Sequence, residues 1–270
     1  MTDYFYPSDT QQYVDLDKPN TIDNFALRYS LFLKIKKEKD KYKIEHPQNA
    51  RMPKAGQEMI EILKNRQEFQ LKSLNKIYDF RAIEATVDWR LIVGLGSEHV
   101  QETSMTLHHI YGIPYIPASA IKGVLHHLVK DKKKNNANSD EYKDELEIFG
   151  SEDNNEQKIK GKVIFMDAFP VSDVRFAMDI MNPHYQEYYS GETYPADWQN
   201  PVLINFLTIE KTRFRFIFLS QKKQKSDYLE KIGKWLEEIF EVKGIGAKTA
   251  VGYGYFKDKD DITKKIQDLP

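Results

Sequence analysis

The chain has 270 residues, with 40 Lys plus Arg against 41 Asp plus Glu, 7 His and no Cys, for a formal net charge of -1. At about 100–200 residues per domain this is one large domain or two small ones, and 40% hydrophobic residues supply a core that a disordered polyampholyte lacks. The missing cysteines exclude disulfides, thiolate metal sites, iron–sulfur clusters and cysteine nucleophiles, and no apolar run approaches the ~20 residues that span a bilayer, so the chain reads as soluble and cytoplasmic with no membrane partner.

In chain order, residues 1–52 are rich in Tyr, Asp, Lys and Pro with weak periodicity, and read as an irregular or partly helical extension, a docking arm. A helix is predicted from Pro53 to about Tyr78, with Ile60, Leu63, Leu71, Leu74 and Tyr78 on one face and Gln67 interrupting it. Ile83, Ala85, Val87, Trp89, Leu91 and Val93 then alternate with Glu84, Thr86, Asp88, Arg90 and Ile92, which predicts a strand with one face buried, ending at Gly94-Leu95-Gly96. After Pro114 and Pro117, Ser119 is placed to cap a helix carrying Ile121, Val124, Leu125, Leu128 and Val129.

A second strand is predicted from Val163 to Phe169, then an insertion with turn chemistry from about Val171 to Pro201. Val202 to Ile209 and Thr212 to Leu219 read as paired strands joined near Glu210-Lys211. A helix follows from Asp227, with Glu230 completing a capping box, and a last strand at Tyr253 to Phe256. Without the insertions, the order is strand, helix, strand, strand, helix, strand. That is the α+β, ferredoxin-like (RRM-like) arrangement, an antiparallel sheet with two helices on one face.

Charge is segregated along the chain. Lys34 to Lys43 holds six lysines, Lys130 to Lys134 four, and Lys211 to Lys225 is basic, while eight carboxylates gather between Asp140 and Glu156. Such a chain presents a basic groove while staying neutral overall; solvated loops are the plainer alternative. Among the histidines, His108-His109 and His126-His127 are adjacent pairs whose rings diverge, and no metal-binding spacing exists, so neither a metal nor a cofactor is expected. His184, near Tyr188 and Tyr189, is a candidate for stacking on a base or for anchoring a packed loop. Arg213 and Arg215 among aromatic residues on one strand also suit RNA.

Two segments could hold an anion through the backbone. Gly244-Ile245-Gly246-Ala247-Lys248-Thr249-Ala250-Val251-Gly252-Tyr253-Gly254 is neither a dinucleotide fingerprint nor a Walker A loop, because Thr249, Glu241 and Ala247 stand where glycines belong and the helix precedes the loop. Its Gly244, Gly246, Gly252 and Gly254 either let a phosphate or base approach exposed amides beside Lys248 and Thr249, or serve a tight helix-to-strand turn. The second segment is the helix start at Ser119 and Lys122, which reads as an RNA-phosphate site or as an ordinary cap.

Gly94-Leu95-Gly96, the run from Tyr111 to Gly123 and the glycine loop from Gly244 to Gly254 together resemble the RAMP superfamily of CRISPR proteins. Met178 to Tyr185, Tyr188 to Glu192 and Phe206-Leu207-Thr208 resemble one branch, the sixth subunit of the Cmr complex, the type III-B effector. Ala118 departs from the glycine that usually precedes the serine. The resemblance divides the chain into an N-terminal extension and helix (1–79), a RAMP domain (80–257, with a projecting insertion at about 171–200) and a tail (258–270). It implies a non-catalytic subunit that holds the 3′ part of the CRISPR RNA and the guide–target duplex in antiviral defence. Its partners would be CRISPR RNA, target RNA, the repeated backbone subunit and the largest RAMP subunit, and its RNA contacts Ser119, Lys122, Gly244, Gly246, Lys248, Thr249, Gly252, Gly254 and His184. The alternative is a RAMP endonuclease using metal or acid–base chemistry, as the similar backbone subunits do with an Asp after the first strand. No Asp occurs here between Asp88 and Asp131, only Glu98 and Glu102. A free-standing guide-processing enzyme would need a base such as His99 or His108.

Overall fold

The structure is a computed structural model that describes residues 2–5, 22–30, 33–38, 41–44, 52–96, 103–135, 144–151, 159–182, 194, 203–224 and 227–269. Near the N-terminus, β1 (Thr2–Phe5), β2 (Leu33–Glu38) and β3 (Lys41–Ile44) form a small antiparallel sheet, with α1 (Phe25–Ser30) between its first two strands. The expected extension is thus partly β-structured.

The main sheet has the order β11-β4-β10-β6, all antiparallel, from β4 (Tyr78–Val87), β6 (Val163–Phe165), β10 (Arg213–Gln221) and β11 (Phe256–Asp261). The short β7 (Phe169–Pro170) continues beside β10. With α3 (Ala118–Asn135) after β4 and α5 (Tyr228–Glu238) after β10, the sheet carries its fourth, first, third and second strands in that order. This is the ferredoxin-like plan that the order of elements predicts.

Both faces of that sheet are covered. Phe214, Phe216 and Phe218 of β10 and Ile83, Ala85 and Val87 of β4 share one core with Leu125 and Leu128 of α3 and Ile232, Trp235 and Leu236 of α5. On the other face Phe80, Ala82, Ile217 and Leu219 pack with Leu71 of α2 (Lys54–Leu74) and Ile266 of α6 (Thr263–Gln267). The alternation in β4 therefore does not mark a solvated face. Glu84, polar in that pattern, is 14% exposed and receives Arg213 at 3.1 Å and Arg215 at 2.9 Å. Arg215 is 2% exposed and also meets Glu68 of α2 at 2.7 Å. A buried guanidinium needs such paired carboxylates, so neither arginine is free for RNA.

Several element boundaries differ from the sequence reading. The helix after Pro53 stops at Leu74, because Tyr78 is already in register with Gln221 and pairing along the sheet overrides helical periodicity. The first strand breaks at Asp88-Trp89, and β5 (Arg90–Leu91) joins another sheet of order β5-β9-β8, with β8 (Arg175–Met181) and β9 (Ile204–Glu210). β9 and β10 are thus not paired: the chain passes between sheets at Lys211, which takes a left-handed φ of 48°. β9 pairs instead with β5 at Glu210 and Ile209 and with β8 from Arg175↔Glu210 to Met181↔Ile204, and beyond Ile209 the β8–β9 pair continues as a ribbon joined through residues 182–203. Part of the expected insertion is thereby a strand of this ribbon.

The Asp227 side chain caps nothing; it pairs with Lys231 at 3.3 Å, and Glu230 pairs with Lys234 at 3.0 Å, so no capping box forms. The final strand starts at Phe256 rather than Tyr253, and the expected tail contributes β11 and the buried Ile266 to the fold.

Candidate nucleic-acid interface

A π-helical turn, Ile239–Lys243, closes α5, and the glycine loop follows it. Three main-chain hydrogen bonds hold the loop down: Ala247 N–H donates to Ile92 O at 2.8 Å, Gly254 N–H to Arg90 O at 2.7 Å and Ile245 N–H to Gly254 O at 2.8 Å. So close a fit leaves no room for a Cβ at Gly246 (φ 101°) or Gly254 (φ 78°), where it would run into the carbonyls of Ile92 and Ile245. These two glycines have a packing role that needs no ligand.

The middle of the loop differs. Lys248 takes a left-handed conformation (φ 59°, ψ 30°) and leads into a 3-10 turn, Thr249–Val251. Among the described residues, no protein acceptor takes the N–H groups of Gly246, Lys248, Thr249 or Ala250. Successive free amides in a left-handed-then-helical turn form a concavity for an anion. Lys248 makes no ion pair with a described residue; its ammonium lies 5.6 Å from the centre of the Phe206 ring. The arrangement presents donors and one positive charge that no carboxylate among the described residues pairs with.

The helix start is built differently. Ile116 and Ala168 exchange hydrogen bonds at 2.9 Å, which brings the β6–β7 connection alongside residues 116–118. Asp167 then accepts the Ala118 N–H at 2.7 Å, while the Ala120 and Ile121 amides bond to Pro117 O at 3.0 and 3.2 Å. The capping residue is therefore Asp167, distant in sequence, and not Ser119, which lies exposed in the first turn. Only the Ser119 N–H stays open there among the described residues, beside a carboxylate. Lys122 is half-buried and makes no ion pair with a described residue. Since Lys243, next to Gly244, pairs with Asp131 at 3.5 Å, the glycine loop departs from beside the far half of α3. At 1.5 Å per residue, Asp131 lies roughly 14 Å along the helix from Lys122. The loop thus leaves α5 at a level of α3 well removed from Lys122.

Two of the described histidines take structural places. His126 is 8% exposed, bonds to Glu145 at 3.0 Å and stacks on Phe149 with centres 4.7 Å apart. His108 stacks on Tyr111 at 4.3 Å, and burial, aided by the charge of His109, holds its pKa below the usual imidazole value. Among the described residues, no three His, Asp or Glu side chains could hold a metal ion. His184, His99, Glu98 and Glu102 lie outside the described residues.

The sequence reading did not find a cluster beside the loop. Arg90 and Tyr253 both donate to Asp179 of β8. Burial by itself would raise the Asp179 pKa, but hydrogen bonds from Tyr253, the Ile180 amide and Arg90 bring it below the ordinary carboxylate range. Burial and the same contact push the Tyr253 phenol up to about 12. This ties the glycine loop to the β8–β9 ribbon. The available signal was the Asp88-Trp89-Arg90 interruption in an otherwise apolar alternation.

A model of the RAMP superfamily matches residues 85–257, which include the glycine loop, the start of α3 and the ribbon. The chain belongs to the RAMP superfamily. Within it, the chain is 35% identical to the CRISPR system Cmr subunit Cmr6 of Pyrococcus furiosus, over 61% of this chain and 64% of that protein. It is 30% identical to the Cmr subunit Cmr6 of Saccharolobus solfataricus, over 69% of this chain and 60% of that protein. The chain thus spans less than two thirds of the length of the curated RAMP relatives it matches. A chain in the cryo-EM structure of the type III-B Cmr-beta bound to cognate target RNA superposes with a TM-score of 0.59 and 26% identity, over 76% of this chain and 67% of that one. No helix among the described residues of this RAMP protein is long and apolar enough to cross a membrane.

Proposed function

We propose that this chain is a non-catalytic RNA-binding subunit of a type III-B CRISPR effector complex in the cytoplasm. It holds the 3′ part of the CRISPR RNA and the guide–target duplex, beside the repeated backbone subunit and the largest RAMP subunit. The observation that carries the reading is the row of amides at Lys248, Thr249 and Ala250 that, among the described residues, meet no acceptor, beside a Lys248 that pairs with no described carboxylate, on a RAMP framework. RNA whose sequence is read by base pairing needs contacts to its backbone, and amides with scattered cations supply them without a side-chain code. The identity to two Cmr6 proteins and the likeness to a chain of a target-bound Cmr complex support the same assignment. In this reading the β8–β9 ribbon, whose first strand lies within the expected insertion, reaches toward the duplex.

The test is co-purification of the tagged protein from its native host with sequencing of bound RNA. Repeat-derived CRISPR RNA together with other RAMP subunits is expected. RNA-free protein from cells that express the array would contradict the proposal. For the catalytic question, Glu98→Gln is expected to leave target cleavage by the reconstituted complex intact. Loss of the cuts next to this subunit would favour an endonuclease.

A further inference from the structure

The strand break at Asp88-Trp89 places an indole where the alternation would have buried it. Trp89 is instead 49% exposed, whereas most large apolar side chains of β4 and β10 lie in the two cores. A half-exposed tryptophan on a RAMP surface is costly to keep in water and is enriched where something binds.

Its surroundings say what kind of ligand fits. The Trp89 ring lies 4.9 Å from that of Tyr253, which lies 6.1 Å from Phe206, so three rings run from surface to interior. A cation stands at each end: the Arg90 guanidinium, already paired with Asp179, is 5.3 Å from the Trp89 ring centre, and the Lys248 ammonium is 5.6 Å from that of Phe206. Tyr253 and Phe206 are 6% and 1% exposed, which leaves Trp89 as the accessible end of the row. The indole also touches the glycine loop, since a Cβ at Gly252 would lie 3.8 Å from its six-membered ring. An exposed aromatic face beside a short loop that carries open amides and Lys248 supplies the parts that a single-stranded nucleic acid uses. The base stacks and the adjoining phosphate takes the charge. A protein segment would also cover the indole, but it would need an acidic residue in register with Lys248 and the open amides, whereas a nucleic acid carries a phosphate beside every base.

We propose that Trp89 is a stacking platform for an unpaired base of single-stranded RNA whose adjoining phosphate lies on the glycine loop. This rests on the RNA-binding reading above. It adds a side chain that contacts a base to a site otherwise made of backbone and lysine.

The experiment measures binding of the full chain to a fluorescent oligouridine and to an abasic ribose-phosphate oligomer of the same length. Trp89→Ala is expected to lose about five- to a hundredfold in affinity for oligouridine. It should bind the abasic oligomer as the unaltered protein does, and Trp89→Phe should keep most of the oligouridine affinity. Because the indole is half outside the core, both variants should retain the native circular dichroism spectrum. If Trp89→Ala binds oligouridine normally while Lys248→Ala is weakened, stacking is wrong and the RNA-binding reading stands. Should the unaltered chain bind neither oligomer, both fail together.

Discussion

The start of α3 and the glycine loop each pair open backbone amides with a lysine, yet a carboxylate of the protein already sits on one of them. At α3, Asp167 takes the Ala118 amide and Pro117 O takes those of Ala120 and Ile121, so a single amide remains beside a negative charge. In the loop, the amides of Gly246, Lys248, Thr249 and Ala250 meet no acceptor among the described residues, and no described carboxylate pairs with Lys248. Two anion sites that look equivalent as motifs therefore differ in how far the protein has neutralised them. A helix N-terminus attracts an anion, and at α3 the aspartate of the β6–β7 connection already supplies it.

The largest expected effect separates the two regions by the same substitution. Gly254→Ala should lose about 2–4 kcal/mol of stability, because the left-handed φ and the Ile245 carbonyl both oppose a methyl group. Gly123→Ala, in α3 with nothing within 4 Å of the added carbon, should gain about 0.5–1 kcal/mol. Denaturant unfolding of both variants checks this, and equal signs would break the distinction. A smaller effect sharpens it: Asp167→Asn should cost about 1 kcal/mol of stability yet raise RNA affinity about two- to fivefold, since it weakens a cap and removes a competing charge. A variant that lost affinity would mean that Asp167 positions the helix for RNA instead of competing with it.

The smallest effect concerns pH. The Asp179 pKa is depressed in the folded protein, so its contribution is present above its ordinary value of 3.8 and is lost as pH falls through the depressed one. Tyr253 has the opposite shift, so its contribution fades as pH rises from its ordinary 10.0 toward about 12. Tyr253→Phe should cost about 1 kcal/mol near neutral pH and flatten both limbs of the stability profile. An unchanged profile would mean that the Arg90–Asp179–Tyr253 contact does not hold the loop.

Much of this was legible in the sequence, for reasons that also explain the rest. The order of strands and helices emerged because Ile121, Val124, Leu125, Leu128 and Val129 repeat at helical spacing, and Ile83, Ala85 and Val87 at strand spacing. Periodicity reports which face is apolar but not what covers the other face, so the pairing of Glu84 with Arg213 and Arg215 beneath α2 was invisible. The assignment of β9 and β10 to different sheets depends on a turn at Lys211, a residue with no turn signature. Local chemistry placed the cap on Ser119, whereas the residue that performs it comes from the β6–β7 connection, 49 positions beyond the Ala118 amide it accepts. The glycine loop was the most readable part. Yet its glycines divide between packing, as at Gly246 and Gly254, and the open turn around Lys248, a division that only geometry exposes.

The most direct test of the account is the affinity of the full chain for CRISPR RNA across a range of salt concentrations, with and without Lys248→Ala. If the loop holds a phosphate, the variant should bind more weakly at low salt, and the slope of log affinity against log salt should flatten by about one. Identical affinity and identical slope would contradict the assignment of the glycine loop as the RNA-backbone contact.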